Sequence, residues 1–402
     1  MPSSAAIPDY IHESVRALPV LPTAVSRLLT LTREVDVNFR EIARVIETDQ
    51  TLTARTLRAA NSPLYSVSRR VQTVRQATVL LGTDTIVNLV LGVSVMSLQS
   101  GLHRQLPFDP ALFGRHSIAV ALAARNLAQH FRLPNPGEAF VAGLLHDIGK
   151  LVLLMHYGEK YAWLMKQALQ GEVPLNLLEE EAFDLDHALV GHALCLHWHL
   201  PPAMAQAVAE HHSETAPRSL ADMVSRANNL VKTIHIGNSG NCYIHPASVN
   251  GQPRDLIGQG WLRKMVLAHP AETLKAEEAL GRIESVEEPE AQETTDPPLV
   301  QLEVRRPAEE EMLSAMLWSM GYELVGTNGG TTSNGHPASG ASVALITDTP
   351  GDLAGLAYRQ RNVPVLDYGA WRTEHDVDAG GVNVVALRSW LAEKLEAATT
   401  QA

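Results

Sequence analysis

The chain has 402 residues, 45% of them apolar, which is enough for a sizeable core in two or three domains and excludes a disordered or collagenous protein. Lys and Arg number 32 against 44 Asp and Glu, and a formal charge of −12 repels a phosphate backbone, so no nucleic-acid partner is expected. Two cysteines, Cys195 and Cys242, are too few for a disulfide framework and fit a reducing compartment, the cytoplasm.

In chain order, residues 1–17 carry no basic segment followed by an apolar one, so they read as a loose tail rather than a secretory signal. From Leu18 to about Ile236 apolar residues recur three and four apart, which predicts helix after helix. Thr23 to Leu31, Phe39 to Thr48 and Thr51 to Ala60 are the first three, the last stopped by Asn61-Ser62-Pro63. The most apolar run, Ile86 to Leu98, is about a third shorter than the roughly 20 residues of a bilayer span and contains Asn88, so a soluble protein without a membrane partner is expected. Arg69, Arg70 and Arg75 form a small basic cluster, assigned to pairing with Asp49 or Asp84 or to a protein contact. Trp261 to Ile283 completes an all-α domain over 18–283, with subdomains 18–105 and 106–283.

Glu284 to Pro298 holds six acidic residues and no basic one, and reads as a linker. Beyond it, 300–304, 342–348, 363–368 and 382–387 look like strands. Helical patterns at Glu309 to Met320, Asp352 to Arg361 and Arg388 to Ala397 alternate with them, which predicts a small, mostly parallel α/β domain over 299–402. Its size and strand order are those of a receiver-like, flavodoxin-type fold, with Asp348 at the phosphoacceptor position. Arg305-Arg306 stand where a receiver needs acidic residues for Mg²⁺, and Arg388 replaces its lysine, so the expected domain is a degenerate one used for interaction.

Ten of the seventeen histidines fall between His116 and His212. His116 shares a helix face with Ala119, Val120, Ala123 and Leu127, which points its imidazole into the bundle. His146 and Asp147 interrupt the apolar stretch VAGLLHDIGKLVLL, where a buried carboxylate must be paired or hold a cation. Ala139, Ala142, Gly143 and Gly149 ring the His146 face with small side chains and leave room for something to approach. His187 and the pair His211-His212 sit in further helical segments. Imidazoles and one carboxylate converging in a helical core suit a divalent metal, Mn, Fe, Zn or Mg.

His146-Asp147-Ile148-Gly149-Lys150, with His116 upstream, resembles the HD superfamily of metal-dependent phosphohydrolases. The segments LPVLPTAVSRLL, DQTLTARTLRAANSPLYSV and VRQATVLLGTDTIVNLVLG narrow this to the HDOD family, an HD-related output domain of bacterial signalling, over roughly Leu18 to Ile236. The resemblance implies metal ligands at His116, His146, Asp147 and a final position held here by Asn228, and a second set at His187, His211 and His212. Asparagine offers a neutral carbonyl in place of a carboxylate and weakens such a site. Asp222 cannot replace it, since six residues at roughly 100° each turn it about 240° away. The Gly-Tyr-Pro signature of the related cyclic-dinucleotide phosphodiesterases is absent after His212. The expected function is a scaffold or output module that binds other signalling proteins without catalysis. The alternative is a phosphohydrolase in which the metals activate water, Asp147 holds them and Lys150 neutralises charge on phosphorus.

Overall fold

The computed structural model describes residues 23–31, 39–62, 65, 70–102, 107, 110–170, 173–213, 215–244, 248–249, 252–253, 259–280, 299–303, 307–320, 322–325, 344–347, 365–368, 370–371 and 382–401. The contacts divide it into two units, Met1–Val231 with Ile236–Asn241 and Pro270–Val286, and Lys232–His235 with Cys242–His269 and Glu287–Ala402. The expected helical domain ran to 283, whereas Cys242–His269 groups with the C-terminal residues. Strand pairing is the physical reason: β1 (Tyr243–Ile244) is antiparallel to β8 (Val382–Asn383). The expected linker, Glu284 to Pro298, lies outside the described residues.

The first unit is helical. It opens with α1 (Thr23–Leu31), α2 (Phe39–Glu47) and α3 (Gln50–Ala60), within a residue of the expected bounds. The Asp49 side chain accepts from the Leu52 amide and caps α3. Asn61 ends α3 and grips Val71, accepting from its N–H and donating to its carbonyl, both at 2.7–2.8 Å. After α4 (Val74–Leu81), the apolar run from Ile86 lies in α5 (Thr83–Leu102).

The histidine-bearing helices follow: α6 (Pro110–His130), α7 (Pro136–Leu145), α8 (Ile148–Tyr157), α9 (Glu159–Gln170), α10 (Leu175–Phe183), α11 (His187–His197), α12 (Pro202–Glu210) and α13 (Leu220–Thr233). Pro136–Tyr157 is apolar and long enough to cross a bilayer, but 89% of its most apolar window is buried, as in a core helix pair. Two of the small residues expected to leave room for a ligand, Gly143 and Gly149, serve helix packing instead. A Cβ on Gly143 would stand 2.9 Å from the Ala121 Cα, and one on Gly149 would stand 2.0 Å from the His187 carbonyl oxygen. Backbone, not ligand, fills that space.

The second unit contains β2 (Ser248–Val249) paired with β3 (Gln252–Pro253), then α14 (Gln259–Leu280), whose second half belongs to the first unit. Next come β4 (Leu299–Glu303), α15 (Pro307–Ser319), β5 (Glu323–Val325), β6 (Ala344–Thr347), β7 (Val365–Asp367), β8 and α16 (Val384–Gln401). Four strands form a parallel sheet in the order β5-β4-β6-β7. Strands near 300, 344 and 365 were expected, and β5 was not. The expected strand 382–387 is a correction: only Val382–Asn383 is extended, it pairs with β1 outside the parallel sheet, and α16 begins at Val384. Leu387, Leu391 and Leu395 are buried four residues apart, a helical repeat that outweighs the local run of valines. Asp348, Arg305, Arg306 and the expected helix 352–361 lie outside the described residues. Arg388 donates to the Ser319 Oγ at 2.8 Å.

Candidate metal centre

The break between α7 and α8 creates the site. Asp147 leaves the helical conformation at φ −100° and ψ 6°, which ends one helix and starts the next at His146-Asp147, and both side chains are buried. The Asp147 carboxylate becomes a hub. Its Oδ2 lies 3.2 Å from His146 Nε2, 3.8 Å from His116 Nε2 and 2.8 Å from Lys150 Nζ. Its Oδ1 lies 3.2 Å from His187 Nε2 and 3.7 Å from His211 Nε2. His212 closes the ring, its Nε2 2.9 Å from that of His187. Donor atoms of His116, His146 and Asp147 lie within 4.8 Å of one another, as do those of Asp147, His187, His211 and His212.

The far side of each ring fixes which nitrogen faces the centre. His146 Nδ1 donates to the Gly143 carbonyl and His211 Nδ1 to the Val208 carbonyl, each at 2.7 Å, while His187 Nδ1 meets Glu179 Oε2 at 2.6 Å. This outer shell orients imidazoles toward a cation. His146 Nε2, His211 Nε2 and Asp147 Oδ1 are buried with no hydrogen-bond partner. Unsatisfied lone pairs converging on a carboxylate fit a metal, and imidazole with carboxylate suits a borderline divalent ion.

Electrostatics without metal follow from burial and pairing. Burial alone would raise the Asp147 pKa, but His146 and Lys150 overcome it and hold the carboxyl well below its usual range. Burial pulls His187 down, yet Glu179 wins and raises it to about 9. His211, with burial as the main cause, falls to about 3.

The structure brings His116, His146, Asp147, His187, His211, His212 and Asn228 together. Asn228 Oδ1 accepts from His116 Nε2 at 3.2 Å. Asp222 accepts from Arg226 Nε at 3.1 Å and from the Arg218 amide at 2.9 Å, so it is committed elsewhere. Lys150, a candidate for anion stabilisation, pairs with Asp147 and donates to the Ser239 carbonyl at 3.0 Å. His197 and His199 are exposed and His192 is half-buried. Arg70 and Arg75 lie exposed, and Arg69 is outside the described residues.

Sequence reasoning missed three residues. Glu179 is fully buried and accepts from the His187 backbone amide at 2.9 Å as well as facing its ring. Tyr161, also fully buried, donates to Glu179 Oε1. Ser239 holds Lys150. Glu179 left one signal, its place midway between Leu175 and Phe183 at spacings of four, on the buried face of α10.

Residues 18–214 match the HDOD domain family, and this stretch of the chain is an HDOD domain. The solved structure of an HDOD domain protein of unknown function from Geobacter sulfurreducens is 26% identical, covers 69% of this chain and 90% of its own, and superposes with a TM-score of 0.51. A solved structure from Marinobacter aquaeolei VT8, 20% identical, shares the fold with a TM-score of 0.54 over 68% of this chain and 65% of its own. An uncharacterized protein of Treponema pallidum (strain Nichols) is 24% identical over 226 residues, 55% of this chain. The match spans 42% of that relative's length.

Proposed function

We propose that the HDOD domain is a metal-binding output or scaffold module of a bacterial signalling protein, acting by contact with other signalling proteins and not by hydrolysis. One observation carries the reading. His116, His146, Asp147, Lys150, His187, His211 and Asn228 are each 2% exposed or less, so a phosphate ester could approach the donor atoms only past the half-buried His212. A hydrolytic site must also leave a position for water and substrate. Lys150, tied to Asp147 and Ser239, does not face a substrate position, and Asn228 withholds the charge a carboxylate would supply.

The donor set itself favours the second reading, a metal-dependent phosphohydrolase. When bound there, a metal would supply Lewis acidity and lower the pKa of water. In the second unit, the order β5-β4-β6-β7 is that of a doubly wound, flavodoxin-type sheet, which supports reading it as a small α/β interaction domain of receiver-like ancestry.

The test is the full chain purified without chelator, assayed for bound metal and for hydrolysis of bis(4-nitrophenyl) phosphate. We expect bound Mn, Fe or Zn and no turnover above that of Asp147→Asn. Metal-dependent turnover abolished by Asp147→Asn would establish the phosphohydrolase instead.

A further inference from the structure

Asp147 divides the cluster into two unequal halves. On the Oδ2 side stand His116 and His146, but this oxygen already holds the Lys150 ammonium at 2.8 Å. His116 Nε2 is engaged with Asn228 Oδ1 at 3.2 Å, leaving His146 Nε2 as the unsatisfied nitrogen there. On the Oδ1 side stand His187, His211 and His212, with both Asp147 Oδ1 and His211 Nε2 buried and unsatisfied. Among the described residues, this side alone has a second carboxylate behind it, Glu179 at 2.6 Å from His187 Nδ1.

Charge decides between the halves. A dication bound through Oδ2 would meet a fixed ammonium on the same oxygen atom, a like-charge contact that burial leaves poorly screened. A dication bound through Oδ1 has the Asp147 charge between it and Lys150, and Glu179 adds a second negative charge on its own side. Three imidazoles and one carboxylate also select a borderline first-row ion over Mg²⁺.

We propose, resting on the metal-binding reading above, that the chain holds a single divalent first-row ion on Asp147 Oδ1, His187, His211 and His212. Lys150 serves as the built-in cation of the His116 and His146 half. The Asn228 carbonyl and the Lys150 ammonium together take the place of a second metal ion and its carboxylate.

The experiment counts metal in full-length chain purified without chelator from medium supplemented with Co²⁺, with circular dichroism confirming the fold of each variant. The expected result is about one equivalent, with affinity reduced about tenfold or more in His212→Ala and unchanged in His116→Gln. His212 is half-buried, which makes its substitution the gentler one. The Co²⁺ visible spectrum of His116→Gln should match the parent, a readout independent of whether His212→Ala folds. Lys150→Met combined with Asn228→Asp should raise the count to about two. Two equivalents in the parent, or a spectrum altered by His116→Gln, overturns the single-ion assignment and leaves the metal-binding reading standing. A folded parent that holds no metal overturns both.

Discussion

Two apolar stretches of the first unit, α5 and the α7–α8 pair, look alike in composition and behave differently. In α5 the buried Ser94 is satisfied within its own helix, its Oγ donating to the Val90 carbonyl at 2.8 Å, and the helix runs unbroken for 20 residues. In α7–α8 the polar pair His146-Asp147 is only half satisfied by its own helices, through Gly143 and Lys150, which leaves His146 Nε2 and Asp147 Oδ1 without a hydrogen-bond partner. Asp147 collects groups from α6, α8, α11 and the end of α12, and the helix breaks where it does so. A polar residue in an apolar run marks a site when its partners come from elsewhere in the chain.

The largest expected effect comes from Glu179→Ala, which leaves the His187 ring buried without its counter-charge and should cost about 3–5 kcal/mol of unfolding free energy in urea. A loss under about 1 kcal/mol would mean the outer partners of α7–α8 matter no more than the local bonds of α5.

The next is a pH effect in metal-free chain. The folded pKa of His187, about 9, lies above its unfolded value, so its stabilisation is full below about pH 6.5 and is lost as pH rises through about 9. Glu179→Gln should flatten that slope, and equal slopes in parent and variant would sink the assignment to Glu179.

Gly149→Ala and Gly92→Ala compare the stretches directly. The first forces a Cβ onto backbone at 2.0 Å and should cost about 1–3 kcal/mol or more. The second meets the Phe140 ring edge at 3.2 Å, which can give way, so a smaller loss is expected. Thermal melts of the two variants rank them.

Smaller again is Asn228→Asp, whose added negative charge beside His116 should modestly tighten binding of the single ion on the Oδ1 side, with no second equivalent and no turnover. A variant that binds the ion no more tightly and melts several degrees lower would show that Asn228 serves the core as a hydrogen-bonding amide. Ser94→Ala, which removes one neutral bond within α5, should change stability by about 1 kcal/mol or less.

Much of the first unit was legible because its signals are local. Thr23–Leu31 follows from apolar spacing alone, and the end of α3 from Asn61 and Pro63. Six of the seven metal-site candidates were legible because histidine and aspartate are rare inside apolar helices, whereas Asn228 came only from the family resemblance. Glu179 escaped because LEEEAF reads as a solvated acidic run, and its burial depends on Tyr161 and His187, eighteen and eight residues away. The misread strand at 382–387 has the same origin: a short run of valines is ambiguous between strand and helix, and a pairing with Tyr243–Ile244 settles it at long range.

The position of His211 and His212 just past the last turn of α12 has a kinetic consequence. Two of the proposed donors share one helix end, and the His211 ring is held through its bond to the Val208 carbonyl. Fraying a single turn therefore withdraws both together. Release of the ion should follow the opening rate of that helix end, and amide hydrogen exchange at Glu210 to Ser213 should slow when the ion is bound.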